Sequence, residues 1–356
     1  LVRFAPYMNV TIFRHLAFKL PGAPPPHFMM ELLPPEEKKG WVRRRAQTPD
    51  FFIYTSVLKE TIVERRWRMF AANPLTNPSK WRNFSTDLEQ QIPSLQRPGV
   101  NPAACMALSV RCKRLMERYI GVHICSLLWA NVFYQLSESI LSAQGHSGLV
   151  RDVLRPVEES WTVRTNHALW RLGRNEISRD TFLEEYGHRA ASSWELFSPR
   201  WYEAPGQVDV LAEAAAQHGN PALLGREQAR RAADAVGRIS GPLRRLIERT
   251  QEYLLLRENQ RFHFDRLLWA WKIQLLAIED QLDMPIRFLH NAELKRLVAG
   301  SWSTTDAAHK IEQRKIAWEQ EVERRRVGDE PPNFLIGSEV VGVQRSSQRL
   351  QGSGAS

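Results

Sequence analysis

Apolar side chains recur every three to four residues along most of this chain, and strict alternation is confined to short pieces. That periodicity is the mark of amphipathic helices rather than strands. It predicts a helix over 9–20, ended by the Pro-rich stretch 21–35 because proline lacks a backbone donor and clashes inside a helix. A second helix is predicted over 56–70, where Leu58, Ile62, Trp67 and Phe70 are apolar, followed by a Pro/Asn-rich linker over 73–80. A polar helix then fits 81–91, a long one fits 102–143, and 162–174 and 179–185 continue the pattern. The region 207–282 reads as three helices, punctuated at Gly219-Asn220-Pro221 and near Gly241-Pro242. A last helix fits 305–326, with Glu312, Lys315 and Glu319 at spacings that let opposite charges meet. Strand signals are limited to 286–289 and 334–343. The expected fold is mainly α, a multi-helix domain with a small β appendage near the C-terminus.

Composition narrows the class. A chain of 356 residues with 43% hydrophobic and 10% aromatic side chains is long enough and apolar enough to bury a substantial core. The formal net charge of +10 would permit a nucleic-acid partner. The basic residues, however, come as scattered clusters such as Arg65/Arg66/Arg68, Arg244/Arg245 and Arg324 to Arg326, mostly interleaved with Glu. That arrangement reads as solvated helix surface, so no nucleic-acid partner is expected. Cys105, Cys112 and Cys125 are odd in number, fit no metal-binding spacing and lie in apolar helical sequence. They read as buried reduced thiols, which favours a cytoplasmic protein. The most apolar stretch, 124–141, is interrupted by Asn131, Gln135, Ser137 and Glu138. It reads as a core helix, and no membrane partner is expected.

Several constellations could carry chemistry. Glu185-Tyr186-Gly187-His188-Arg189 follows a predicted helix, and Gly187 is placed to end it in the left-handed region, releasing His188 and Arg189 at a corner. Such a pair can bind an anion, or it can merely pin the corner through carbonyls and carboxylates. Glu185 and His188 also share the Glu-x-x-His spacing of di-iron bundles, but the sequence holds no second copy and no metal is expected. Arg257 and Arg261 lie one turn apart on one helix face, and Asp265 extends the stripe. Two guanidiniums on one face can clamp a phosphate; the alternative is a charged stripe paired to Glu258 and Asp265. Glu279-Asp280-Gln281-Leu282-Asp283 stands just before Pro285 and reads as a solvated helix end. Aromatic residues, among them Trp161, Trp201, Phe262, Phe264 and Trp269, are dense in the same region. Aromatics at helical spacing usually build core, and an apolar ligand pocket would use the same residues.

Taken in order, these segments carry a resemblance. The run from Thr181 to Arg189, Ser198-Pro199-Arg200-Trp201, Leu256 to Arg261, and Asp283 to Leu289 with Glu293-Leu294 resemble successive landmarks of the phosphoenolpyruvate-synthase-like dikinases of the rifampicin phosphotransferase type. The tail Leu350-Gln351-Gly352-Ser353-Gly354-Ala355-Ser356 is similar to the entry of that family's phosphohistidine domain. The landmarks cover the second half of the chain; the first half matches loosely. One departure is Ala190, where the family usually continues Gly-His-Arg with glycine.

The resemblance implies a division of labour. In that family an ATP-grasp domain phosphorylates a histidine on a swivelling domain, which delivers the phosphoryl group to an acceptor on a helical domain. This chain is similar to the acceptor-binding domain, and is expected to be a fragment that is inactive alone. The partners implied are the ATP-grasp and phosphohistidine domains and a hydrophobic small-molecule acceptor. ATP and Mg are implied for the full-length enzyme, with no cofactor bound by this region. The expected boundaries are an N-terminal helical part over 1–100, a main helical domain over 101–343, and a linker over 344–356 into the phosphohistidine domain. The resemblance makes Arg257 and Arg261 the phosphoryl-facing catalytic pair; the corner pair His188 and Arg189 and the aromatics Phe264 and Trp269 are the expected substrate-binding residues. The rival reading is a non-catalytic helical module that binds a ligand or another protein.

Overall fold

The computed structural model describes residues 75–156, 158–190, 195–239, 241–329, 335–336 and 339–340. The helices expected at 9–20 and 56–70, most of the 1–100 part, Trp194, and the 344–356 linker lie outside the described residues. The described residues fall into two compact units, divided between Arg287 and Phe288.

The first unit is built from helices, as the periodicity requires. They are α1 (Asn77–Leu95), α2 (Pro102–Ala143), α3 (Val150–Val153), α4 (Trp161–Gly173), α5 (Arg179–Tyr186), α6 (Pro205–Ala216), α7 (Pro221–Gly237) and α8 (Gly241–Leu282). Their starts follow local chemistry. Asn101, Ser160 and Ser178 accept hydrogen bonds from the amides of Ala104, Val163 and Thr181, satisfying donors that a helix N-terminus leaves open. Pro102, Pro205 and Pro221 occupy first-turn positions, where the missing donor costs nothing. The same logic lets α1 begin at Asn77, inside the expected linker, because Pro78 sits in its first turn. Near its other end α1 also runs through Pro93.

The two 42-residue helices α2 and α8 pack along each other, with α1 against both. Trp81, Leu88, Leu115, Tyr119, Tyr253 and Leu267 form the centre of this core. A polar thread crosses it: the His123 ring lies 2.6 Å from Gln260 Oε1, Gln260 donates to Ser126 Oγ at 2.8 Å, and Ser126 donates to Asn77 Oδ1 at 3.3 Å. Gln260 and Ser126 are fully buried, so each bond avoids the cost of an unsatisfied polar group and fixes the helices' register. A second apolar cluster joins Leu141, Val153, Val236 and Ile247. A third joins Phe182 and Tyr186 of α5, Trp201, Val208 of α6 and Phe262 of α8. This third cluster positions the candidate site.

In the second unit, α9 (Asn291–Val298) and α10 (Thr304–Arg326) are joined by Arg314, whose two terminal nitrogens donate to Glu293 at 2.6 and 2.9 Å. Glu293 also accepts from the His290 amide at 2.7 Å. The Arg314 bonds, opposed in part by burial and aided by the His290 amide, hold the Glu293 carboxyl down at about 2.

The chain is mainly α. The stretch 286–289, expected as a strand, instead holds a 3₁₀ turn over Ile286–Phe288, with Ile286 buried as its apolar anchor. Three apolar residues after a proline carry no period, and burial of one of them in a turn satisfies the pattern equally well. Of the other expected strand, the described residues give only a two-residue antiparallel ladder, Leu335↔Val340 and Ile336↔Glu339, and 341–343 lie outside them. The short helix α9 was not expected, because eight residues carry too little period to read.

Among the described residues no helix is long and apolar enough to cross a membrane.

Candidate functional site

The corner after α5 ends as its glycine dictates, but for another reason than expected. Gly187 is the C-cap at φ −61°, ψ −20°, in the right-handed region. What requires glycine is space: a Cβ there would lie 2.6 Å from the Leu183 carbonyl oxygen and 2.8 Å from the Tyr202 ring. The helix ends at Tyr186, so the Glu185-x-x-His188 spacing runs across its end rather than along one helical face.

Two sequence landmarks are zipped together here. The amide of Trp201 donates to the Arg189 carbonyl at 2.8 Å and that of Tyr202 to the Gly187 carbonyl at 2.9 Å. Both segments dock on the middle of α8. Lys272, nearly buried, donates to the carbonyls of Phe197 and Ser198 at 3.1 and 3.0 Å and to Glu203 at 2.6 Å. Glu203 in turn accepts from the Arg200 amide at 2.8 Å. The Tyr202 ring stacks on Trp269 with centroids 5.4 Å apart.

His188 and Arg189 then point to neighbouring faces of α8. Arg189 is turned inward: its guanidinium donates to Thr165 Oγ1 at 2.6 Å and lies 3.7 Å from a carboxylate oxygen of Asp265. Asp265 is fully buried and also pairs with Arg261 at 3.4 Å. Arg200 is likewise fully buried, with one terminal nitrogen donating to the Glu195 carbonyl at 3.2 Å. Burial pulls the Arg189 and Arg200 guanidiniums below the usual arginine range, and Asp265 is the leading charge opposing that on both. Arg189 and Arg261 thus flank one buried carboxylate, whose charge Arg200 also feels.

His188, only 3% exposed, presents its ring edge-on to Phe262 at 4.7 Å. Its Nε2 is buried without a hydrogen-bond partner among the described residues. Burial, followed by the charges of Arg266, Arg189, His263 and Arg200, pushes its imidazole well below the ordinary histidine range, so it is neutral at physiological pH. The residue lines a cleft of about 490 Å³ together with Trp161, Phe262, Tyr202 and the carboxylates of Glu89, Glu184 and Glu185. Glu89 is engaged by Arg266 and by His263, whose ring nitrogen lies 3.0 Å away. Burial raises the Glu89 carboxyl, but His263 and Arg266 together outweigh it and leave it below its ordinary value.

The six site residues read from the sequence therefore separate. Arg189 and Arg261 meet on Asp265, and His188 opens onto the cleft. Trp269 touches that cleft only through Tyr202. Arg257 is half-exposed and pairs with its neighbour Glu258 at 3.2 Å. Phe264 is in the first core, beside Tyr119 and within 5.9 Å of the Arg261 guanidinium. Sequence reasoning had not marked Arg200 or Lys272 as part of the arrangement. The signal available was the unusual Ser-Pro-Arg-Trp segment, and Lys272 at seven residues from Asp265, two turns along one face of α8.

No curated protein and no solved structure matches the chain. Residues 175–258 match a family model described as the rifampicin phosphotransferase fourth domain. That stretch includes α5, α6, α7 and the first part of α8, and with them His188, Arg189, Arg200 and Arg257. Over residues 175–258, under half of its length, the chain is similar to a domain of the rifampicin phosphotransferase type.

Proposed function

We propose that this chain is the acceptor-binding part of an ATP-dependent dikinase, in which a phosphohistidine on another domain passes its phosphoryl group to a hydroxyl of an organic acceptor. ATP and Mg belong to the partner domains in this reading. The observation that supports it is the cluster at α8: Arg189 and Arg261 on the buried Asp265, Arg200 within reach of its charge, and Arg257 one turn from Arg261 toward solvent. A phosphoryl group in flight spreads negative charge over its oxygens, and catalysis rests on positioned cations that meet that charge. Asp265 holds Arg261 in place beforehand, which removes the reorganisation a mobile side chain would need.

The test is steady-state kinetics of the enzyme carrying all its domains, with Arg257→Ala and Arg261→Ala. One contact of this kind is worth about 3 kcal/mol in the transition state, so kcat is expected to fall roughly 100-fold or more with a small change in acceptor KM. Arg257 contributes roughly 0–1 kcal/mol to stability as a half-exposed pair, so its variant separates lost chemistry from lost folding. Full activity in both variants would overturn the reading and leave a non-catalytic helical module.

A further inference from the structure

The cleft beside His188 is built for a ligand of more specific character. Three kinds of surface meet in it. The aromatic wall is Trp161 stacked on Phe262, with ring centroids 3.9 Å apart, and Tyr202 across from them. His188 lines the cleft, and its Nε2 is buried with no hydrogen-bond partner among the described residues. A buried polar atom left in that state costs free energy that a bound hydroxyl would recover. The rim carries Glu184 and Glu185, both exposed, while Glu89 is already engaged by Arg266 and His263.

Net charge makes the rim informative. The whole chain carries +10, so unspecific attraction at its surface favours anions. Arg266 also lines this cleft but is paired with Glu89, so the rim carboxylates Glu184 and Glu185 act in the opposite sense and select locally for a cation. The hydroxyl-seeking imidazole and the cation-seeking rim belong to one space of about 490 Å³, enough for a small organic molecule.

We propose that this cleft binds an amphipathic amino alcohol: its apolar body against Trp161, Phe262 and Tyr202, its hydroxyl on His188 Nε2, and its protonated amine at Glu184 and Glu185. Taken with the preceding section, on which this last point rests, that molecule is the phosphoryl acceptor. Its hydroxyl is then held at the residue that precedes Arg189, whose guanidinium reaches Asp265 on α8. Here His188 is a positioning residue that fixes the hydroxyl by a hydrogen bond.

The experiment is calorimetric titration of this chain with 2-amino-1-phenylethanol, against phenethylamine, which lacks the hydroxyl, and mandelate, which carries a carboxylate in place of the amine. The amino alcohol is expected to bind about tenfold more tightly than either, the ratio that one hydrogen bond or one local charge contact supplies. In His188→Phe the advantage over phenethylamine is expected to vanish. Should that variant fail to fold, the exposed pair Glu184→Gln/Glu185→Gln decides, and is expected to erase the advantage over mandelate. No binding of the amino alcohol at millimolar concentration, mandelate binding as well or better, or an unchanged preference in the double glutamine variant would overturn the proposal. The titration uses no ATP and no partner domain. Binding in the expected order alongside full activity of the arginine variants would sink the transfer reading and leave the cleft standing; the converse pair of results would sink only the cleft.

Discussion

Gly187 shows how one residue sets the site. It needs no left-handed backbone, yet any side chain would press on the Leu183 carbonyl and the Tyr202 ring at 2.6 and 2.8 Å. Gly187→Ala must therefore displace backbone, and an overpacked site of this kind costs about 1–3 kcal/mol. Urea denaturation should show the lowered midpoint at unchanged slope; an unaltered midpoint would mean that the corner relaxes freely. His188 makes a second prediction, in pH. Burial and nearby arginines lower its folded-state pKa, and burial lowers that of His123 as well. Unfolded histidine titrates near about 6.5, so below that pH the unfolded state binds the proton and the folded state resists it. Stability is thus complete above about pH 6.5 and falls as pH drops below it, by up to about 1.4 kcal/mol per pH unit for each histidine. His188→Gln should flatten the decline, which chemical unfolding between about pH 7 and 5 would measure; parallel profiles in the two proteins would contradict the assignment.

At the scale of elements, most of the helices were legible and their meeting points were not. The breaks at Gly219-Asn220-Pro221 and Gly241-Pro242 separate α6, α7 and α8 where the sequence placed them, because proline and glycine act on the backbone locally. The stripe Arg261-Asp265 was also legible, since i,i+4 neighbours are fixed by helix geometry alone. What could not be read is that Asp265 is shared with Arg189, or that Lys272 ties down the carbonyls of Phe197 and Ser198. Those contacts depend on how α4, α5 and α6 stack on α8, and stacking is decided by shape across distant residues. Gly173 illustrates it: a Cβ at this position would fall 2.0 Å from the Ala212 carbonyl oxygen, where α4 crosses α6. Gly173→Ala must push two helix backbones apart, and is expected to destabilise by about 3 kcal/mol or more, beyond the effect of Gly187→Ala. Thermal unfolding of the two variants side by side would check the order, and an equal or smaller loss at Gly173 would refute it.

At the scale of the whole molecule, the order of the landmarks carried the resemblance, which the family model matches over residues 175–258, while no single motif did. Tyr186 to Arg189 and Ser198 to Trp201 are separated in sequence but share backbone hydrogen bonds, and both rest on the helix that bears Arg257 and Arg261. A set of segments that must meet in three dimensions keeps its order along the chain, which is why order was informative where spacing was not. Many of the basic residues are paired along the surface, as in Arg179 with Asp209 at 2.7 Å, Arg244 with Glu248 at 2.9 Å and Arg118 with Asp87 at 3.1 Å, which leaves the net excess of +10 on the others. The cations at Asp265 face inward, and in the proposed function they act only when a donor domain is present. The chain alone is therefore expected to give a helical far-ultraviolet circular dichroism spectrum, to consume no ATP and to phosphorylate no acceptor. Transfer should appear when it is assayed with the ATP-grasp and phosphohistidine domains. ATP consumption by this chain alone, or a strand-dominated spectrum, would contradict the proposed division of labour.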